Sequence, residues 1–435
     1  MNSLIIQGDV PLNGEVTPSG SAGLTSWLIS LSLFSSEEVV LTHVPNVPFV
    51  KEKISLISSL GVEIEWTGDN RIIINSSGLS EYRVPFESGS KQVDTLLLVA
   101  PLIFKFGKAI VPLPEDLPEG FLEDFIKTWE SLGMSVNVGD EWIKVEAEEL
   151  TPNNISFKNS NPISTISAIS SAVFVKGESV VNNACERAEV DELISFFNSL
   201  GGSVKRTEPC RIEINGETLF KGVDYEVTRD IDEIVHFAVG ALITGGTVAI
   251  RDVNKVALAP FINILNKIGT NFEFLDSTLT SWHGGEVFEP VSITAKPAPG
   301  FLKSWVPAMT LLLTQAPGES YIRASLTEKE WSFVSDLNRL GADIVFTETM
   351  STPIGASTGS DKIVNPDSYR EIKITGPSNL KGNTLDIVDF FSGPTMILAS
   401  LSASGRSVVR GYDLVENIHA DFIDKLASLG ANIEI

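Results

Sequence analysis

The chain has 435 residues, 43% of them hydrophobic and 20% charged, a balance that suits a globular protein with apolar material for at least two cores. Its formal net charge of −24 repels nucleic acid and anionic lipid, so neither is expected as a partner, and the acidity reads as a solvated surface. The longest apolar run, Leu96–Phe104, is too short to span a bilayer.

The opening MNSLIIQGDV has no basic stretch followed by an apolar core, so no signal peptide and a soluble cytoplasmic protein are expected. Along the chain the first strong signal is a helix over 22–34, hydrophobic nearly all round and therefore buried. A turn and a β-rich run follow (SSEEVVLTHV), then a second helix that stops at Leu-Gly and gives way to a strand (LISSLGVEIEW). The same order returns with an apolar helix over 94–106, KFGKAIVPLP and TWESLGMSVNV. A third copy has an apolar helix over 163–176, VKGESVVNNA, a helix over 190–200 with a clear polar face, and FFNSLGGSVKR. Three further copies carry TGGTVAIRDV with ILNKIGTNFEF, APGESYIRAS with DLNRLGADIVF, and ASGRSVVRGY with KLASLGANIEI.

The closing glycines are Gly61, Gly133, Gly201, Gly269, Gly341 and Gly430, spaced by 72, 68, 68, 72 and 89 residues. Glycines 107, 177, 246, 318 and 405 are expected to end the apolar helices, because glycine adopts φ > 0 at that point without penalty. Six copies of one α/β unit are therefore expected. Packed three to a core with their apolar helices inward, they make two domains. The wide last interval holds an insertion at 347–370, rich in Ser, Thr, Gly and Pro and expected to be an exposed loop.

These stretches, with LIIQGDVPLNGEVTPSGSAG at the start and FIDKLASLGANIEI at the end, resemble the enolpyruvyl transferase superfamily. The detail is most similar to its UDP-N-acetylglucosamine 1-carboxyvinyltransferase branch. The resemblance implies an inside-out α/β barrel fold of two domains, 22–228 and 1–21 plus 229–435. It also implies a ligand cleft between them that bound helix N-termini would make suitable for phosphorylated ligands. No cofactor and no metal are expected; the two cysteines, Cys185 and Cys210, have no metal-ligand spacing and are too few for a disulfide framework.

Motif by motif, the fold residues match the family and the reactive ones do not. Ala22 and Gly23 stand where the family has the lysine and asparagine after Ser-Gly, and Val93 where it has an arginine. The stretch 113–120 has neither the cysteine nor the arginine of the family's mobile loop, and Leu117 falls at the cysteine's place. Ser304 replaces the aspartate taken as the family's base, Glu330 and Phe391 replace arginines, and Ile231 replaces the arginine between two retained acids. A pocket without these cations has little to hold two anionic substrates, so the standard transfer from phosphoenolpyruvate is not expected. The alternatives are an active carboxyvinyltransferase with a changed acceptor, other chemistry on a less anionic ligand, or a non-catalytic regulator of an intact paralogue. A small-molecule ligand is expected in every case, and a protein partner in the last.

Candidate ligand-binding residues follow from the matched positions. Glu233, Glu328 and Asp389 are retained acids, though acids also favour helix starts for electrostatic reasons alone. Ser19, Ser21, Ser164, Thr165, Lys303 and Ser304 lie at loop-to-helix junctions, where Ser and Thr also serve as caps. His236, inside an apolar helix, is expected to be a core residue, and Cys185 a buried, inert thiol.

Overall fold

The computed structural model describes residues 3–68, 70–86, 92–114, 117, 120–347 and 369–435. Much of the loop expected at 113–120, and the insertion at 347–370 except Thr347, Tyr369 and Arg370, lie outside the described residues.

The chain divides into two compact units, one of residues 20–228 and one of 1–19 with 229–435. The first contains α1 (Ala22–Leu31), α2 (Pro48–Ser58), α3 (Val99–Phe106), α4 (Phe121–Ser131), α5 (Pro162–Ala172) and α6 (Ala188–Ser199). The second contains α7 (Ile231–Thr244), α8 (Ala259–Ile268), α9 (Val306–Leu313), α10 (Phe333–Leu340), α11 (Gly393–Ser402), α12 (Asp413–Glu416) and α13 (Phe422–Ser428). The apolar helices α1, α3 and α5 form the centre of one unit, and α7, α9 and α11 that of the other. Every residue of α9 is buried, as an all-round apolar sequence requires. The partner helices bury one stripe each; α10 buries Phe333, Val334, Leu337 and Leu340 at helical spacing.

Each copy builds one small sheet, and the described residues form three sheets in each unit. The third copy shows the plan: Glu178–Asn182 pairs parallel with Asn154–Ser156 and antiparallel with Arg211–Asn215, which pairs with Ser203–Glu208. In the second copy the parallel position is only a bridge, Arg83 to Ile110. Three copies are completed by distant segments. Val223–Glu226 supplies the parallel strand beside Val39–Thr42, and Asn13–Val16 does so beside Thr247–Ile250. Ser3–Gln7 lies between Arg406–Arg410 and Asn432–Glu434, so the chain start completes the last copy.

All six Leu-Gly or Ile-Gly glycines have φ between 79° and 108°. At Gly133 an added Cβ would also stand 2.0 Å from the Glu149 carbonyl oxygen, so only glycine fits. Of the glycines expected to end the apolar helices, only Gly107 does so; α5, α9 and α11 are capped by Val173, Thr314 and Ala403, ahead of Gly177, Gly318 and Gly405, and the fourth copy uses the neighbouring glycine. Gly245 (φ 74°) caps α7, and Gly246 is instead kept small by the Leu12 carbonyl, 1.9 Å from where its Cβ would be. Two apolar segments begin as 3-10 helix, at Val93–Leu98 and Lys303–Trp305. The cause is Pro101 in one and Pro307 in the other. Each lacks an N–H and crowds the carbonyl four residues back, so regular α-helix starts only at Val99 and Val306. The third apolar helix ends at Ala172, short of the expected 176.

Candidate ligand site

The N-terminal ends of the apolar helices gather the candidate residues. In the 20–228 unit Ser21 caps α1, its Oγ accepting from the Leu24 N–H at 3.3 Å. Ala22, the first residue of α1, is fully buried and offers a methyl group where the resemblance places a lysine. Val93 is half-buried at the start of its 3-10 segment.

Beside Val93 lies a buried ion pair absent from the candidates read in the sequence. Asp94 accepts from Ser26 Oγ at 2.5 Å and from Lys53 Nζ at 3.2 Å, and Lys53 is fully buried. The signal was present: Lys53 shares the inward stripe of α2 with Val50, Leu56 and Ile57, and a lysine there needs a buried acid.

At α5 the cap is Asn161, not Ser164 or Thr165. Its Oδ1 accepts from the Ser164 N–H and its Nδ2 donates to Ser164 Oγ, both at 2.7 Å. Ser164 Oγ faces Asp124 Oδ2 at 3.5 Å, and partial burial pushes the Asp124 carboxyl above the ordinary range. Thr165 Oγ1 donates to the Asn161 carbonyl at 2.8 Å and accepts from the Cys185 N–H at 3.0 Å. Leu117 is half-buried, and its neighbours on both sides lie outside the described residues.

In the other unit the first turn of α7 is crowded with carboxylates. Asp230 caps it, accepting from the N–H groups of Asp232 (2.9 Å) and Glu233 (3.1 Å). Asp232 Oδ1 accepts from Ser304 Oγ and Trp305 Nε1, both at 2.8 Å, so Ser304 is tied to α7 and Asp232 joins the site. Glu233, fully buried, does not cap. It accepts from the Ser19 N–H at 2.9 Å and from Lys425 Nζ at 2.5 Å, and Lys425 also donates to Ser19 Oγ at 2.6 Å. Burial pushes the Glu233 carboxyl up, while Lys425 and His419 pull it down.

The remaining candidates scatter. Lys303 pairs with Glu330 at 2.9 Å, and Glu330 closes a reciprocal cap with Thr327. Glu328 lies between the capping residues Thr327 and Glu330, and its own exposed carboxylate pairs with Arg370 at 3.0 Å. Asp389 accepts from the N–H and Oγ of Ser392 just ahead of α11, while Phe390 is exposed and Phe391 packs on the core. His236 is buried as expected. It stands 6.1 Å ring to ring from His419, and burial lowers it to about 4, with His419 acting in the same direction. Burial likewise lowers His419.

Free N–H groups at a helix start attract anions. Here the chain's own side-chain oxygens occupy one N–H at α1, one at α5, two at α7 and one just before α11. Among the described residues no group of three or more side chains is placed to hold a metal ion, and no helix is long and apolar enough to cross a membrane.

Two three-sheet units with apolar helices at their centres define the enolpyruvyl transferase fold. The structure superposes on the enolpyruvyl transferase NikO from Streptomyces tendae with a TM-score of 0.84 at 20% identity, covering 99% of this chain and 98% of that one. An EPSP synthase from Acinetobacter baumannii gives 0.76 at 18% identity, covering 100% and 99%. The model of the EPSP synthase (3-phosphoshikimate 1-carboxyvinyltransferase) family matches residues 6–426, and the chain belongs to that family. Its relatives include UDP-N-acetylglucosamine 1-carboxyvinyltransferase 2 of Clostridium acetobutylicum, 27% identical over 436 residues and 100% of this chain and 99% of the relative. UDP-N-acetylglucosamine 1-carboxyvinyltransferase 1 of Caldanaerobacter subterraneus subsp. tengcongensis is 28% identical over 431 residues, covering 99% and 98%.

Proposed function

We propose that this chain uses the enolpyruvyl transferase fold to bind a small ligand of low negative charge, and that it does not transfer the enolpyruvyl group of phosphoenolpyruvate. The observation that carries this reading is the fate of the cations. Positions matched to family cations hold Ala22, Val93, Ile231, Glu330 and Phe391, and the nearby Lys303 and Lys425 are held by Glu330 and Glu233. A doubly anionic substrate needs charge-assisted hydrogen bonds. At α7 it would meet Asp230 and Asp232 instead, with the buried Glu233 behind Ser19 and Lys425. Hydroxyls and carboxylates of this kind suit a polar ligand that donates hydrogen bonds, such as a sugar-like molecule. Binding without transfer also accommodates a role in regulating an intact paralogue.

A second reading, an active carboxyvinyltransferase with a changed acceptor, is favoured by the end-to-end match to two carboxyvinyltransferases. One pair of measurements separates the two. Phosphate release from phosphoenolpyruvate is followed with UDP-N-acetylglucosamine and a panel of hydroxyl acceptors, and thermal denaturation with each ligand alone and together. No release and no rise in Tm are expected with phosphoenolpyruvate, since a ligand at a hundred times its Kd adds about 2.7 kcal/mol to the native state. Release with any acceptor would overturn the proposal and establish the second reading.

A further inference from the structure

The chain has two cysteines, both reduced, and the fold of the 20–228 unit brings them to one place. The Ala184 N–H donates to the Cys210 carbonyl oxygen at 2.9 Å. The Cys210 thiol donates to Glu186 Oε1 at 3.1 Å. Cys185 therefore sits between the two residues that hold Cys210, one by its backbone and one by its thiol. The Arg206 guanidinium pins the same junction, donating to the carbonyls of Cys185 (2.8 Å) and Pro209 (2.6 Å). Cys185 is buried and Cys210 exposed, so Cys210 is the thiol that meets solvent.

We propose that Cys185 and Cys210 form a reversible intramolecular disulfide that acts on the first turn of α5. The Ala184–Cys210 backbone hydrogen bond puts Cys185 on the segment directly beside Cys210, and bridging needs the two Cα atoms to come within about 4.4–6.8 Å. Bridging requires the Cys210 side chain to leave Glu186 and turn to its other neighbour. With a peroxide as oxidant, Cys210 Sγ attacks one peroxide oxygen. The O–O bond breaks, a sulfenic acid forms and one water leaves. Cys185 Sγ then attacks the Cys210 sulfur. The S–S bond forms, the S–O bond breaks, and the hydroxyl leaves as water with the Cys185 proton. Two thiols lose two electrons in total and the peroxide becomes two waters. Burial raises the Cys185 thiol, and the bond to Glu186 raises the Cys210 thiol, so oxidation runs faster as pH rises.

The consequence reaches the candidate site through one bond. The Cys185 N–H donates to Thr165 Oγ1, and Thr165 lies in the first turn of α5 beside Ser164. A disulfide pulls on Cys185 and with it on that turn. Only the link to ligand binding rests on the function proposed above; the disulfide itself is read without any ligand.

The test uses the reduced full-length chain treated with hydrogen peroxide at pH 8, followed by non-reducing peptide mapping and amide hydrogen exchange. A Cys185–Cys210 linked peptide is expected, reversed by dithiothreitol and abolished in the exposed-site variant Cys210→Ser. Exchange at the Cys185 and Thr165 amides is expected to change on oxidation in the native chain and not in Cys210→Ser. Chains joined through Cys210, or oxidation stopping at a Cys210 sulfinic acid with Cys185 still reduced, would overturn the disulfide. A disulfide that leaves exchange at Cys185 and Thr165 unaltered would overturn its action on α5.

Discussion

The two units bury charge for different purposes. In the 20–228 unit, Lys53 and Asp94 are 41 residues apart and join neighbouring copies, α2 of the first to the apolar segment of the second. In the other unit Glu233 and Lys425 are 192 residues apart, and with Ser19 they fasten the chain start and α7 to α13. The helix starts differ in the same sense. Ser21 and Asn161 cap neutrally, whereas α7 is capped by Asp230 and carries two more carboxylates in its first turn. Neutral caps suffice where the chain simply enters a helix. Charge is concentrated where distant segments must be held in one register.

The sharpest way to break this comparison is to remove one member of each pair. Lys53 is sealed from solvent and Asp94 nearly so, so Lys53→Met leaves a carboxylate unpaired in the core. A loss of about 3–5 kcal/mol in urea unfolding is expected, with most of it restored in the double variant Lys53→Met with Asp94→Leu. Single losses below about 1 kcal/mol would show that the pair bears little of the packing. Lys425 keeps 18% of its side chain exposed, so Glu233→Gln leaves it some water. A smaller loss, about 1.5–3 kcal/mol, is expected, with faster exchange of the Ser19 amide. An unchanged Ser19 amide would dissociate the pair from the hold on the chain start.

The histidine pair adds a pH dependence to this unit alone. Burial holds His236 down to about 4 and also lowers His419, whereas unfolded histidines titrate near the ordinary 6.5. Between those values the unfolded chain binds more protons than the native one, so stability is full above about 6.5 and falls as pH drops toward 4. Glu233, raised in the native state, works the other way: its native form holds a proton that the unfolded form has lost, so its contribution diminishes as pH rises above the unfolded value. The facing charged groups are Asp232, Glu233 and Lys425. Tm is expected to fall between pH 7 and pH 4.5, and to fall less in His236→Leu. An identical slope in the variant would remove His236 from the account.

What the sequence made legible is what local physics determines. The six glycines before strands need positive φ, and the apolar helices need burial, whatever lies elsewhere in the chain. The 3-10 entries at 93–98 and 303–305 have local causes too, in Pro101 and Pro307, although the apolar pattern over 94–106 reads as one continuous helix. Pairing across the chain was not. Nothing within Ser3–Gln7 says that it completes the copy ending at Glu434, because a short strand carries no label for its partner. The same limit hid part of the candidate site. Ser19 and Glu233 were separately readable, but their shared partner Lys425 lies in α13. Asp232 stood in a matched stretch, yet its role depends on Ser304 and Trp305 arriving from another copy.

The neutral caps supply the smallest and most discriminating test. Asn161 both accepts from and donates to Ser164 at 2.7 Å, so Asn161→Ala strips two short bonds from the start of α5. Ser21 accepts only one long bond, 3.3 Å, from Leu24. Cap removal typically costs about 1 kcal/mol, so Asn161→Ala is expected near that figure and Ser21→Ala at about half of it or less. Chemical denaturation of the two variants resolves the difference. If Ser21→Ala proves the more costly, the α1 start is held by more than its cap. The Thr25 hydroxyl, which donates to the Ser21 carbonyl at 2.7 Å, is then the contact to remove next.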